Sequence, residues 1–346
     1  MKELFKINLQ LFANENNPTL NVNATTSAGL SVENKTFYDM ALLQEAAPNL
    51  IHDQFGQKKP IPKNGGKTIE FRKYASLPKL TTPIQEGVTP SGQTLEASKI
   101  EATISQYGGF VTLSDILDLT AIDNNVLEAT KAIGRQAGLT TDTITRNVLQ
   151  GGTNVWYAPK VGADGTVTEV DDRTKLDATC KLSISLVKKV VAWLRANNVP
   201  TIDGDYVAII HPYVAYDLME DPKWEEYHKY TTAENLYKGE IGRIAGVRFV
   251  ETSEAKIYKG TEDDCPTGLA VFGNLFFGKE AYGVTEVTGG GLETIVKQLG
   301  SAGTSDPLNQ RSTVGWKATK TAEILFEPYM IRVESVSGFS PDAEAN

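Results

Sequence analysis

The sequence predicts an α+β protein of elongated build, and three features carry that reading. Val126, Ile133, Ala137, Ile144 and Val148 recur at steps of seven and four, the stripe of one long amphipathic helix. In VGWKATKTAEILF (314–326) the even positions apart from Lys320 are apolar and the odd ones almost all polar, the period of a half-buried strand. Two more alternating segments, KTIEFRKY (67–74) and SKIEATISQY (98–107), are joined by about 24 residues holding Pro78, Pro83, Pro90 and few apolar groups.

From the N-terminus, MKELFKINLQLFA places Phe5, Ile7, Leu9 and Leu11 at strand period. Asn8 and Gln10 interrupt the apolar core that a signal peptide would need. Residues 14–35, rich in Asn, Thr and Ser, read as an extended arm. KTFYDMALLQEAAPNLIHDQF predicts a short helix with Phe37, Met40, Leu43 and Ala47 on one face and a break at Pro48, leaving His52 in a linker.

The excursion between Tyr74 and Ser98 has too little apolar surface for a core of its own. At about 3.3 Å per residue, arms of ten to fifteen residues reach on the order of 35–50 Å. Long structureless connections are uncommon in compact domains and usually functional or disordered. A plain surface loop is one reading; an arm lying on a neighbouring molecule is the other, and the strands at its base favour the arm.

Asn125, with Glu128 three residues on, resembles a capping box opening the long helix, and Gly151 and Gly152 end it. A helix of about 25 residues runs near 37 Å, long enough to act as a spine. A second helix carries Leu182, Leu186, Val190 and Leu194 on one face, with Pro200 beyond its end. YVAII (206–210) and LAVFG (269–273) are wholly apolar and predict strands buried on both faces. Residues 176–280 therefore read as a compact α/β subdomain inserted into the rest. In the C-terminal strand Lys320 is the one polar residue on the apolar face. Pro328 interrupts the pattern, and Tyr329, Ile331 and Val333 restart it in the opposite register.

Composition narrows the function. The 346 residues hold 34 Lys plus Arg against 43 Asp plus Glu, a formal charge of -9, without a basic cluster that would grip phosphates. This argues against a sequence reader of nucleic acid. Two cysteines, Cys180 and Cys265, exclude a disulfide framework; buried free thiols are the favoured reading, and a single bridge stays open. No apolar run approaches the roughly 18 residues that would span a bilayer, so no membrane partner is expected.

Catalytic motifs fail on inspection. PKNGGKT (62–68) ends like a phosphate-binding loop, but Ile61 stands where the motif needs glycine, and a strand pattern follows where a helix is required. GEIGRIAGVRFVETSE (239–254) spaces Gly239, Gly242 and Gly246 unlike a dinucleotide fingerprint and leads into a strand, so Gly246 reads as a turn. Glu225 and His228 have the spacing of a carboxylate–histidine metal motif, but no second copy exists, and a solvated helix face accounts for them. His211, before Pro212, reads as a helix start, and Asp203 and Asp205 flank Gly204 in a turn. Neither a cofactor nor a metal is expected.

NLQLFA (8–13), QYGGFVTLSDIL (106–117), GEIGRIAGVRFVETSEA (239–255) and RSTVGWKATKTAEILFEPYMIRVES (311–335) come in an order that resembles the major capsid protein of a tailed bacteriophage. The likeness is to capsid proteins of phages and prophages of Gram-positive bacteria. It implies the capsid fold shared with herpesviruses: an N-terminal arm at 1–60, an extended loop hairpin at 61–112, a peripheral domain with spine helix and long strands at 113–175 and 281–346, and an axial domain at 176–280.

The resemblance further implies self-assembly into hexamers and pentamers of an icosahedral head enclosing double-stranded DNA, built in the bacterial host cytoplasm, with no catalysis. Its partners would be copies of itself, portal and scaffolding proteins and a decoration protein, with packaged DNA held only non-specifically. Inter-subunit contacts are expected from Phe71, Tyr74, Pro83 and Ile84 of the extended loop, from Leu9, Leu11 and Phe12 of the arm, and from Arg243 at the centre of an axial-domain ring. Two other classes stay open: another virion or tail-tube structural protein, and a soluble α/β enzyme.

Overall fold

The computed structural model describes residues 40–42, 44–46, 50–60, 67–74, 77–84, 86–87, 89, 91–95, 97–120, 125–162, 164–224, 242–260, 263–285, 292–301 and 306–346. Strands β1 (Gln57–Lys59), β2 (Thr68–Tyr74), β3 (Ala97–Thr103) and β4 (Ser105–Ser114) precede helices α1 (Asp115–Thr120) and α2 (Asn125–Gln150). Strands β5 (Val155–Tyr157), β6 (Lys160–Val161) and β7 (Val167–Thr168) lead to α3 (Ile184–Ala196), β8 (Tyr206–Ile210) and α4 (Pro212–Met219). Then come β9 (Arg243–Ile244), β10 (Val247–Glu251), β11 (Ile257–Lys259), β12 (Ala270–Phe277), β13 (Tyr282–Thr285) and β14 (Leu292–Lys297). Strands β15 (Arg311–Lys320), β16 (Ala322–Ile324) and β17 (Met330–Ser335) follow. The chain divides into two compact units: Met1–Leu50, Gln106–Thr140 and Val287–Thr319 in one, and Ile51–Ser105, Thr141–Glu286 and Lys320–Asn346 in the other.

The first unit holds a three-stranded sheet of order β14-β15-β4 and the first turns of α2. Leu42, Leu113, Ile133, Ala137, Val314, Trp316 and Ala318 form its core. Ile133 and Ala137 are thus the buried stripe that the periodicity predicts. The expected capping box does not form: Glu128 pairs with Lys131 at 2.7 Å, and the Asn125 amide donates to the Leu117 carbonyl. The short N-terminal helix also differs in its buried face. Met40 is 57% exposed, whereas Leu42 and Ala46 are buried. The close neighbour explains this, because Leu42 sits over Gly134, where a Cβ would come within 2.8 Å of the Leu42 carbonyl oxygen. Phe37, Leu43 and Ala47 lie outside the described residues for side chains.

The second unit is built on a seven-stranded sheet of order β5-β17-β12-β8-β10-β9, with β11 paired to β12. β8 and β12 are buried along their whole length, as continuous apolar runs require. The sheet extends past the 176–280 segment that the sequence reading took as a self-contained subdomain, since β5 and β17 complete one side of it. Helix α3 covers one face with Leu186, Val190 and Leu194, and Ser183 caps it by accepting the Leu186 amide. His211 caps α4 in the same way, its Nδ1 accepting the Tyr213 N–H at 3.2 Å.

Two further expectations change. The C-terminal alternation does not form one strand of thirteen residues but breaks at Thr321, and β15 and β16 join different sheets. Reciprocal bonds hold the break: the Thr321 N–H donates to the Thr285 hydroxyl and the Thr285 N–H to the Thr321 carbonyl, both at 3.1 Å. Beyond Ala137 the buried face of α2 is polar as well as apolar. Thr141, Asp142 and Thr145 are buried with Leu149, while Ile144 and Val148 are only half-buried. The partners of those polar groups explain the rotation and are described below.

Candidate assembly interface

The hairpin of β2 and β3 is a regular antiparallel pair running from Thr68↔Thr103 to Tyr74↔Ala97. Its stem is fixed from below. Ile69, Phe71 and Ala102 cluster with Leu325, and the Lys59 ammonium stands 5.4 Å from the Phe71 ring centre. Phe71 is 3% exposed, so the expectation that it touches a neighbouring subunit is corrected: its surface is buried against its own chain. The cause is position, because an inward residue two turns of the pleat below the excursion faces the stem's core. Tyr74 is the last residue of β2.

Past Tyr74 the situation reverses. Pro83 is exposed, and Leu77, Leu80, Ile84 and Leu95 are 53%, 80%, 75% and 61% exposed. Large apolar side chains gathered on one segment are rarely left open on a monomer, and such patches mark contact surfaces. Fully burying one aliphatic side chain of this size is worth about 1.5–3 kcal/mol.

Arg243 lies elsewhere, on β9 at the edge of the seven-stranded sheet. The two-residue turn Ala245-Gly246 joins β9 to β10, with φ of 55° and 82°. Positive φ at both central residues is what a type I′ hairpin turn requires. Gly246 is therefore the turn into a strand that its place before VRFVE predicts; Gly239 lies outside the described residues. The Arg243 side chain is largely exposed and pairs with Asp205 at 3.0 Å. Leu9, Leu11 and Phe12 lie outside the described residues.

A second apolar surface went unread in the sequence. In the first unit Phe110 is 74% exposed on β4 beside a groove of about 570 Å³, lined by Gly108, Gly109, Ile295, Gly315 and Trp316 among others. The glycines are required by close approach: a Cβ on Gly108 would lie 2.7 Å from the Trp316 carbonyl oxygen. The GGF triplet was the available signal.

The other feature missed is internal. His52, expected in a linker, is fully buried: its backbone N–H and Nδ1–H both donate to Asp142, at 2.7 and 2.6 Å. Its Nε2 has no hydrogen-bond partner among the described residues. Asp53 beside it accepts the Thr145 hydroxyl on Oδ1 at 2.6 Å and the Lys320 ammonium on Oδ2. Lys320 is thus the reason its strand carries a polar residue on an apolar face. Burial lowers the Lys320 ammonium from its usual range, and Asp53 opposes that shift. Burial also holds the Tyr282 phenol well above the usual range, with the Asp53 and Asp142 charges adding to it. A further buried carboxylate, Glu334, accepts two bonds of 2.6 Å from Arg173, whose guanidinium stacks 3.9 Å from the Tyr258 ring centre. Burial works against the Arg173 charge, but the Glu334 bonds outweigh it and raise its pKa.

Among the described residues no cluster of His, Cys, Asp and Glu could hold a metal, and no helix is long and apolar enough to cross a membrane. Residues 97–332 match the family described as phage capsid protein. The chain belongs to the phage capsid protein family. That family is structural, so this member is a shell-forming protein of the virion and not an enzyme.

The fold of this capsid protein agrees. It is similar to the capsid of Ralstonia phage GP4, with a TM-score of 0.61, 14% identity and all of each chain covered. It is also similar to the capsid of cyanophage P-SCSP1u, with a TM-score of 0.61, 13% identity and 90% of each chain covered. The capsid of Helicobacter pylori bacteriophage KHP30 gives a TM-score of 0.57 at 11% identity, covering 93% of this chain and 98% of that one. The mixed α+β architecture is shared with these phage capsid structures. No curated relative matches the chain.

Proposed function

We propose that this capsid protein assembles into hexamers and pentamers that close into an icosahedral head around double-stranded DNA. The observation that carries the reading is the excursion of 77–95, a stem-anchored arm whose described large apolar residues are all exposed. Such an arm gains stability only by lying on another surface, and copies of one chain meeting through different patches close into rings. In this reading residues 1–60 are an arm, 61–112 the extended loop, 113–175 with 281–346 the peripheral domain and 176–280 the axial domain, whose sheet is completed by β5 and β17. Ile84 and Pro83 contact the next subunit, Tyr74 sits at the edge of that contact, and Leu9, Leu11 and Phe12 add the arm's share. Arg243 gathers at the ring centre. Assembly takes place in the host cytoplasm with portal and scaffolding proteins, a decoration protein completes the surface, and the acidic balance keeps DNA contacts non-specific.

Deleting residues 78–92 tests this. The stem's core is untouched, so the variant should be soluble and folded by circular dichroism yet give no shells by electron microscopy. Shells of normal form and yield would overturn the role of the loop, and tubes from the intact chain would overturn the head itself.

A further inference from the structure

We propose that Lys320 and Asp53 are joined by an amide bond between Nζ and Cγ, formed by the folded chain itself as an internal cross-link. The two side chains meet 267 positions apart in sequence, and their exposures are 0% and 7%. Nζ already touches Asp53 Oδ2, so the reacting groups are held together without the entropic cost of encounter. The other carboxylate oxygen is occupied by the Thr145 hydroxyl at 2.6 Å. A second carboxylate, Asp142, lies one turn before Thr145 on α2 and acts electrostatically on Lys320.

The reaction balances with water as its only by-product. The first step passes a proton from the ammonium, which burial disfavours, to the carboxylate oxygen Oδ2 that it touches. The nitrogen lone pair attacks Cγ, and the carbonyl pair shifts to Oδ1, where the Thr145 hydroxyl donates to the developing negative charge. The surplus proton passes from nitrogen to the adjacent Oδ2 hydroxyl, which leaves as water. The product is a neutral amide, and the site no longer buries two charges whose desolvation opposes folding.

The full chain, purified folded and then denatured, is weighed intact and after trypsin digestion. The expected result is a mass one water below that of the sequence and a single branched peptide joining the Asp53 and Lys320 segments. Lys320→Arg and Asp53→Ala should restore the full mass and abolish the branched peptide. A full, unlinked mass for the wild-type chain overturns the proposal, and that measurement decides even if the variants fail to fold. Loss of water without the branched peptide marks a cyclised aspartate and overturns it equally.

Discussion

Gly283 of β13 lies against the ring of Phe71 of β2, so close that a Cβ on the glycine would overlap the ring. The stem of the extended hairpin is therefore keyed into the second unit by one aromatic side chain and the absence of another residue's methyl group. Everything beyond Tyr74 depends on that seat for its direction. Phe71→Ala should cost about 3–5 kcal/mol and Gly283→Ala about 1–3 kcal/mol in denaturant unfolding. Equal stability for both variants would show that the stem is held some other way.

Ile84 and Leu80 should behave oppositely. Both are largely exposed, so replacing either by Asp should leave stability within about 0.5 kcal/mol of the wild type. Shell yield, read by sedimentation and electron microscopy, should fall sharply.

Arg243 pairs with Asp205 at the surface, and exposed pairs of this kind contribute about 0–1 kcal/mol. Arg243→Glu should leave the isolated chain folded while lowering the yield of closed shells. An unchanged yield would remove Arg243 from the ring contact proposed for it.

His211 gives stability a pH dependence of known sign. Burial lowers its pKa below the ordinary value of about 6.5, and the groups stacked on it are the rings of Tyr213 and Phe272. Between its lowered folded value and 6.5 the unfolded chain binds more protons, so this contribution is complete above that window and lost as pH falls through it. Protonation also removes the Nδ1 acceptor that caps α4. His211→Asn keeps a capping acceptor and should flatten that part of the profile of melting temperature against pH.

Both cysteines are buried and free, and burial pushes the Cys265 thiol up to about 11 and raises Cys180 as well. Neither should react with a thiol reagent in the native protein at neutral pH, and both should titrate after unfolding. Rapid labelling of the folded chain would contradict this.

The parts of the fold legible in sequence were those with a strong local period. Asn125–Gln150 and Tyr206–Ile210 follow directly from where their apolar residues fall. What escaped was decided by partners distant in the chain. Asp142 and Thr145 look like the wet side of a helix until His52 and Asp53 are brought against them, and the break at Thr321 exists because Thr285 is there to bond it. The candidate contact surface divided the same way. The poverty of apolar groups in the excursion marked it as an arm, but alternation alone could not tell that Phe71 belongs to the stem and Ile84 to the open part.

The position of β17 has a consequence for biosynthesis. It lies between β5 and β12, pairing Arg332 with Val155 and Phe272 with Ser335, so the central sheet stays split until Met330–Ser335 has left the ribosome. Pairings this far apart in sequence form slowly, and unpaired strand edges invite premature association. A nascent chain therefore carries the outward-facing loop long before its largest sheet can close. Until β17 is made, β5 and the β12 side of the sheet have no strand to join them.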